Sequence, residues 1–485
     1  MAGIRPEEHV ERWAMQGFDG GICTANPAHA IDGDQSPDAE NFDPSVRWML
    51  KKRTGTSNFS GDKGVPTGTI VNGLCAFTHD NGTVRMIAKE GTTTHDVAGA
   101  AWGSALTGYT PADGDKCYFS MFKNKIIVTS TARPAPLYLD TGTAWTALGG
   151  SPPSGIYNCV HKGRLWIANT SADPSRIYYS ALNNEADWSS PNDSGNFYVA
   201  VSDGMTINGI CSDGDVLYIS KSASGGSEGA IYAVFGDGPA DFRAPRRISW
   251  FGAVSQWAFI PTQSFVVAAC STGIYGMQGT QMILLSEAIN PDWLALTDAQ
   301  RAEAAIGRWK NQIWVSYPAS GSTNTKAFVL DIPRGRWGRH NPVTARVFAT
   351  HPDGNLFAGS TSASIRVLKY NTGTSDLSSA AISLYWTTPD IDFGQFFADK
   401  RWKQSFVHAN SSQSVTWTLE HYLNGTISSD APTMVANTEG PVKGFNGKFT
   451  ENFARFLRFK ISESSTSASE AYGIMSEAIV YPLTR

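Results

Sequence analysis

Two closely spaced carboxylates, Asp390 and Asp392 in the segment TTPDIDFG, are the simplest candidates for acid–base chemistry. A glycosidase needs two carboxyl groups about 5–10 Å apart, and residues two positions apart in a strand point to the same face. The segment fits a strand end and turn equally well, because Asp and Gly are typical turn residues. We therefore predict structural roles for both aspartates and no catalytic residues in the chain.

The acidic segment DGDQSPDAEN, which begins at Asp32, is a candidate calcium loop. It lacks the Asp-x-Asp-x-Asn-Gly order and the distal Glu of an EF-hand loop. Whether a metal sits near Asp32–Asp38 therefore stays open. The nine histidines do not cluster and the six cysteines form no Cys-x-x-Cys pair, so we predict no metal site elsewhere and no cofactor.

Four of the cysteines follow a regular spacing. Cys75, Cys117 and Cys159 lie 42 residues apart, and Cys211 occupies the same place in a later unit. This regularity is typical of small buried residues in repeated strands, and not of ligands or disulfides. We predict reduced thiols in a protein made in a cytoplasm.

Basic residues occur in short clusters, which are Lys51-Lys52-Arg53, Arg243 with Arg246-Arg247, Arg334-Arg336-Arg339, and Lys400-Arg401-Lys403. They fit solvated loops that protect edge strands, or contacts with a neighbouring subunit or DNA phosphates. The candidates for the second role are Lys51, Lys52, Arg53, Lys400, Arg401 and Lys403. The net charge of −4 argues against a general nucleic-acid binder, which would be basic.

A polar turn followed by an apolar strand recurs along the middle of the chain. The first apolar residues of these strands are 39 to 51 residues apart, at Val84, Ile126, Leu165, Val216, Phe265, Ile313 and Leu356. A period of about 40–50 residues is that of a four-stranded propeller blade. The pattern predicts about seven blades, with six as the alternative.

Tryptophans repeat with the same period. Trp102, Trp145 and Trp188 lie 43 residues apart, which favours a repeated packing role over sugar stacking. One interruption, Asn290 to Gly307, has the Asn-Pro start and the Ala/Leu/Gln content of a short helix between blades.

The chain is predicted to be all-β, with three parts. Residues 1–64 form an N-terminal arm, residues 65–373 a β-propeller, and residues 374–485 an antiparallel β-sandwich or platform to which the arm contributes strands. The charged stretch Met1–His9 lacks the apolar core of a secretory signal. The sequence contains no run of about 18 apolar residues, so no membrane-spanning helix is predicted.

The order of several short segments resembles that of phage tail-nozzle proteins, also called tail tubular or packaged-DNA stabilisation proteins. The segments are SPDAENFDP…LKKRTGT from Ser36, RIYYSALNNEADW from Arg176, VSDGMTINGICSDGDVLYISK from Val201, GAIYAVFGDGPADF from Gly229, LDIPRGRWGRH from Leu330 and TTPDIDFG from Thr387. These motifs are structural, so no functional residue is transferred from the family.

The resemblance implies a structural virion protein that is not an enzyme. It would form a homo-oligomeric ring, a hexamer, below the portal and its adaptor, the head-to-tail connector. Tail fibres or spikes would dock outside, and genomic DNA would pass through the lumen. The protein would be made in the host cytoplasm and end in the virion tail. The alternatives are a receptor- or glycan-binding tail propeller, with or without hydrolase activity, and a host scaffold propeller.

Overall fold

The structure is a computed structural model that describes residues 10–60, 70–98, 101–223, 228–242, 244–361, 366–411, 415–427, 433–436, 443–444, 447–448 and 453–480. The charged N-terminal stretch Met1–His9 and Arg243 of the second basic cluster lie outside these ranges. The described chain is almost entirely β, with seven four-stranded antiparallel sheets, two larger sheets and one short parallel pair.

The seven four-stranded sheets are the blades of a propeller, so the predicted fold class is confirmed and the blade count is seven. From the inner to the outer strand, the blades are: blade 1, Val71–Thr78, Val84–Glu90, Thr93–Ala98 and Ala101–Ala105; blade 2, Cys117–Phe122, Lys125–Ser130, Leu137–Leu139 and Thr146–Ala147; blade 3, Gly155–His161, Arg164–Thr170, Arg176–Tyr179 and Gly195–Tyr198; blade 4, Thr206–Ser212, Leu217–Ser222, Gly229–Val234 and Arg246–Ser249; blade 5, Phe259–Pro261, Val266–Cys270, Gly273–Gln278 and Gln281–Leu284; blade 6, Ala305–Trp309, Gln312–Tyr317, Lys326–Asp331 and Arg336–His340; blade 7, Ala345–Thr350, Leu356–Ser360, Val367–Tyr370 and Thr56–Asn58.

The repeated polar turns join the inner strand of a blade to its second strand. At three of these turns Lys123, Lys162 and Lys310 have φ angles of 52°, 48° and 51°. Tight hairpin turns need positive φ, and here the lysine itself adopts it. Of the three residues that follow these lysines, only Gly163 also has a positive φ, of 67°. The recurring turn in the sequence thus marks the same hairpin in each blade.

Blade 7 closes the ring. The inner strand of blade 1 contacts the inner strands of blades 2 and 7. The outer strand of blade 7, Thr56–Asn58, pairs with Val367–Tyr370, although it comes from the range assigned to the N-terminal arm. The two ends of the propeller sequence therefore meet in one sheet.

The periodic tryptophans pack to different degrees. Trp145 is buried, and its indole Nε1 donates a 2.9 Å hydrogen bond to Thr94 Oγ1, which joins blade 2 to blade 1. Trp102 and Trp188 are only partly buried, and Trp188 Nε1 donates to the Glu185 carbonyl at 2.8 Å. The shared period therefore marks packing positions of unequal burial.

The predicted helical interruption lies between blades 5 and 6. It contains a 3₁₀ turn, Glu287–Ile289, and two short helices, Asn290–Leu294 and Asp298–Ala302. Asn290, at the predicted Asn-Pro start, is the first helical residue, and the 3₁₀ turn runs directly into this helix. A further 3₁₀ turn, Gln256–Ala258, precedes blade 5. Among the described residues no helix is both long and apolar enough to cross a membrane.

Two larger sheets form the sandwich, and the N-terminal segment supplies strands to both. The seven-stranded sheet consists of Val10–Met15, Leu50–Lys51, Lys400–Ser411, Lys443–Gly444, Gly447–Lys448, Phe453–Ala454 and Ser469–Val480. The six-stranded sheet consists of Ala39–Glu40, Ile382–Thr387, Val415–Leu423, Thr426–Ile427, Thr433–Ala436 and Leu457–Ser465. The parallel pair is Gly21–Ile22 with Gln35–Ser36.

One hydrophobic core extends through the sandwich and into blades 5 and 6. Trp402 of the seven-stranded sheet and Trp386 and Trp417 of the six-stranded sheet are fully buried in it. Trp293, from the helix between the blades, and Trp337 of blade 6 belong to the same core. The sandwich and the propeller are therefore packed together through a continuous apolar interior.

Candidate functional site

Arg53 joins three parts of the molecule. Its guanidinium pairs with both carboxylate oxygens of Asp376, at 3.0 and 2.6 Å, and its Nε donates to Asn41 Oδ1 at 2.7 Å. A further contact reaches the carbonyl of Asn341, which follows blade 6, at 3.4 Å. Arg53 is 4% exposed, so it ties the arm to the propeller and to the segment that enters the sandwich.

The two preceding lysines differ sharply in exposure. Lys52 Nζ lies 2.9 Å from Glu463 Oε1, and both side chains are buried; burial lowers the pKa of Lys52, which Glu463 partly offsets. Lys51 Nζ pairs with Glu470 Oε1 at 3.1 Å at the surface. Both ion pairs join the arm to the sandwich.

The second candidate cluster is also divided. Lys400 is fully buried, and its Nζ donates to the carbonyls of Gln395, Ala398 and Arg455 at 2.7, 2.9 and 2.5 Å. Burial lowers its pKa. Arg401 and Lys403 are half-buried.

The prediction that all six basic residues face DNA or another subunit needs correction. The cationic groups of Lys52, Arg53 and Lys400 are enclosed by partners from their own chain, so they are not available to phosphates in this fold. Buried cations need such partners, because desolvation would otherwise be costly. For Lys51, Arg401 and Lys403 the role stays a prediction.

The Arg334-Arg336-Arg339 cluster holds the acidic arm against blade 6. Arg336 pairs with Asp19 at 2.8 Å, and Arg339 pairs with Asp38 at 3.0 Å and with Asp292 at 2.6 Å. Among the described residues no group of three or more His, Cys, Asp or Glu side chains could hold a metal ion. In this structure Asp38 contacts an arginine.

Asp390 and Asp392, the candidate acid–base pair, have separate partners. Asp390 Oδ1 lies 2.7 Å from an Nη of Arg458, and Asp392 Oδ1 accepts a hydrogen bond from the Gly394 backbone at 2.8 Å. These contacts are those of a strand end and a turn.

An exposed aromatic patch, which we call the platform patch, lies on the sandwich and consists of Phe396, Phe397, Phe453 and Phe456 with Arg401. Phe397 and Phe453 are 68% and 62% exposed. The rings of Phe396 and Phe456 are stacked, with their centres 6.2 Å apart. The Cζ atom of Arg401 lies 6.0 Å from the centre of the Phe453 ring. Backbone pairing of Lys400–Arg401 with Phe453–Ala454 brings the two segments together.

An open pocket of about 330 Å³, which we call the axial cavity, lies at the centre of the propeller. The inner strands of all seven blades line it, together with Trp257 from the 3₁₀ turn before blade 5. Aromatic walls come from Tyr118, Phe259 and Phe348. This volume is at the small end of the range of ligand pockets, about 300–1,000 Å³.

Two cations, neither of which lines the axial cavity, lie near the ring of Trp257. Lys116 Nζ and Arg346 Cζ lie 5.3 and 5.6 Å from the centre of its indole ring. Both cations contact the carboxylate of Glu303, Lys116 at 3.6 Å. Burial, with a further contribution from Arg346, lowers the pKa of Lys116 to about 8.

Sequence reasoning missed both the platform patch and the axial cavity. The adjacent pair Phe396-Phe397 in the turn-like segment DFGQFF was a signal for the first, because connecting segments run over the protein surface. Trp257 falls outside the tryptophan period, so the repeat could not place it on the axis.

No protein-family model matches the chain. No curated protein matches it significantly in sequence either. Solved structures match in fold: BBS1N in complex with ARL6DN has a TM-score of 0.43 and 11% identity, and covers 67% of this chain and 99% of that one. Virginiamycin B lyase from Staphylococcus aureus has a TM-score of 0.42 and 11% identity, with 65% and 99% covered. A gluconolactonase from Xanthomonas campestris has a TM-score of 0.34 and 11% identity, with 69% and 98% covered.

These similarities contradict the prediction that the chain is not an enzyme. That prediction rested on the lack of a catalytic motif and on the family resemblance, yet the similar structures are mostly enzymes. At such low identity the likeness concerns the fold alone, and a fold does not specify a reaction. The exclusion is therefore withdrawn, and no activity is assigned in its place.

Proposed function

We propose that the chain is a structural subunit of a phage tail, one of several copies that form a ring around the path of the DNA. The single observation that carries this proposal is the platform patch. Exposed aromatic rings beside an arginine are the composition of a protein–protein interface, and we assign this surface to contact with a second copy of the chain. The order of motifs that resembles tail-nozzle proteins supports the same assignment and suggests six copies.

The dimensions of the propeller support a DNA path elsewhere in the ring. A cavity of about 330 Å³ is far too small for a duplex, whose major groove alone is about 12 Å wide. Closed cyclic symmetry repeats one surface around one axis, so copies of the sandwich would line the lumen. The portal adaptor and tail fibres are the further partners that the resemblance suggests.

Light scattering of the purified chain tests the interface. We expect a closed oligomer, and we expect Phe397→Ser with Phe453→Ser to shift it towards monomer. Ile283→Ser is the matched control, because Ile283 is 65% exposed on the outer strand of blade 5. A monomer at tens of micromolar, or an oligomer that the phenylalanine substitutions leave unchanged, would refute the proposed contact.

A reconstruction of the virion tail tests the location. We expect rings of this chain below the portal adaptor, with the sandwiches around the lumen and the propellers outside. Particles without the chain, or with the propellers around the lumen, would overturn the proposal. Portal and terminase genes beside the coding gene would favour it over a host scaffold protein.

A further inference from the structure

The axial cavity has an uncharged lining. All seven blades contribute to it, yet among the described residues that line it there is no Asp, Glu, Lys, Arg or His. A charged ligand would lose its hydration in such a cavity without gaining a counter-charge, and this desolvation is costly. The lining therefore favours an uncharged ligand.

The polar side chains of the lining are already engaged or buried. Gln256 Nε2 donates to the Ile210 carbonyl at 2.9 Å, and its Oε1 accepts from the Ile210 backbone nitrogen at 2.7 Å. Ser212 Oγ accepts from the backbone nitrogen two residues later at 3.1 Å. Asn158 Oδ1 and Ser120 Oγ lack partners but are buried, so they do not reach into the cavity. The surface that a ligand meets is mainly apolar.

Aromatic rings stand on several sides of the cavity. Tyr118 of blade 2 and Trp257, which precedes blade 5, have ring centres 5.7 Å apart. Phe259 of blade 5 and Phe348 of blade 7 also line the cavity. Aromatic rings prefer offset or edge contacts with one another, and moving an apolar ring out of water is favourable. A flat aromatic ligand would therefore find partners from different blades.

Trp257 forms part of the wall between the cavity and two cations. Lys116 and Arg346 directly precede Cys117 and Val347, which line the cavity, but neither cation lines it. Lys116 Nζ and Arg346 Cζ lie 5.3 and 5.6 Å from the centre of the Trp257 ring, which does line it. The indole therefore shields the cavity from positive charge that would otherwise attract anions.

We propose that the axial cavity binds a small, rigid, uncharged aromatic molecule, and that Trp257 keeps this site selective against anions. A volume of about 330 Å³ lies within the range of small-molecule pockets, about 300–1,000 Å³. The site is independent of the proposed tail role, because every residue in it lies within the propeller of one chain.

Calorimetric titration with 2-acetylnaphthalene, and with its anionic isostere 2-naphthoate, tests the proposal. We expect one 2-acetylnaphthalene per chain, bound at least about tenfold more tightly than 2-naphthoate. The proposal is overturned if the wild-type chain does not bind 2-acetylnaphthalene at about 0.5 mM of this ligand, or if the two probes bind alike.

Val160→Trp locates the binding. Val160 lines the cavity and is partly exposed, so the larger side chain would occupy the space of the ligand, and we expect binding to be lost. Val201→Trp is the matched control, because Val201 is 61% exposed on the connection between blades 3 and 4. Unchanged binding in a folded Val160→Trp variant, or loss of binding in Val201→Trp, would refute the location.

Trp257→Ala tests the selectivity and does not depend on whether Val160→Trp folds. Without the indole, 2-naphthoate could approach Lys116 and Arg346, so we expect the preference for 2-acetylnaphthalene to disappear. A folded Trp257→Ala variant that keeps the wild-type preference would contradict the role given to Trp257.

Discussion

Arg53 shows most clearly what a single buried charge does in this molecule. Replacing it with Met would leave the buried carboxylate of Asp376 without its bidentate partner. Breaking a buried pair by removing one member costs about 3–5 kcal/mol. We expect Arg53→Met to lower the free energy of unfolding by that amount, as measured by denaturant unfolding.

Lys51→Met is the matched control for this substitution. Lys51 is a basic residue two positions before Arg53, but its partner Glu470 is partly exposed. Such surface ion pairs contribute about 0–1 kcal/mol to stability. Equal effects of the two substitutions would contradict the role given to Arg53.

Two buried histidines make stability depend on pH. Burial and then Arg53 lower the pKa of His340 to about 3, and burial and then Lys162 lower the pKa of His161 to about 4. In the unfolded chain both histidines have the ordinary pKa of about 6.5. Between these values the unfolded state binds more protons, so stability falls as pH falls from about 6.5 towards 4.

His340→Gln should reduce this sensitivity. Each such histidine contributes about 1.4 kcal/mol per pH unit within that window, so from pH 6.5 to 5 we expect the variant to lose about 2 kcal/mol less than the wild type. Denaturant midpoints at the two pH values measure the difference. His408→Gln, at an exposed position, is the control, and an equal effect there would rule out this explanation.

At the scale of the elements, Trp145 and Trp188 occupy equivalent positions in sequence but not in burial. Trp145→Ala removes a buried ring and the hydrogen bond to Thr94, so we expect a loss of about 3–5 kcal/mol in stability. Trp188 is only partly buried, and we expect Trp188→Ala to cost less than half as much. Thermal melting measures both, and a melting temperature unchanged by Trp145→Ala would contradict the packing described.

The blades could be predicted because their signals are local. The turn at Lys162 and the apolar strand that follows it at Leu165 are neighbours in sequence, and the same pair recurs in every blade. The partners of Arg53 and Lys52 could not be predicted, because Asp376 and Glu463 lie hundreds of residues away. A basic run therefore suggested an exposed surface where the fold has a buried junction.

The candidate site was hidden for a related reason. Asn158 and Ser120 are ordinary strand residues in the sequence, and they line one cavity only because inner strands of different blades converge on the axis. The sequence predicted the ring of strands but not which side chains meet at its centre.

At the scale of the whole molecule, one hydrophobic core joins the sandwich to blades 5 and 6. Domains that share a continuous core should unfold together. We expect scanning calorimetry to show a single main transition for the full chain. Two well-separated transitions, one for the propeller and one for the sandwich, would show that the shared core contributes little to cooperativity.

The closure of blade 7 has a consequence on the ribosome. Thr56–Asn58 emerges early, yet its partner Val367–Tyr370 is made only after six blades have followed. At about 5–20 residues per second, the roughly 300 residues between them take about 15–60 s to synthesise. During that time, which is most of the synthesis, the early strand has an unpaired edge. This edge is accessible to chaperones and to incorrect pairing with neighbouring copies that are translated from the same message.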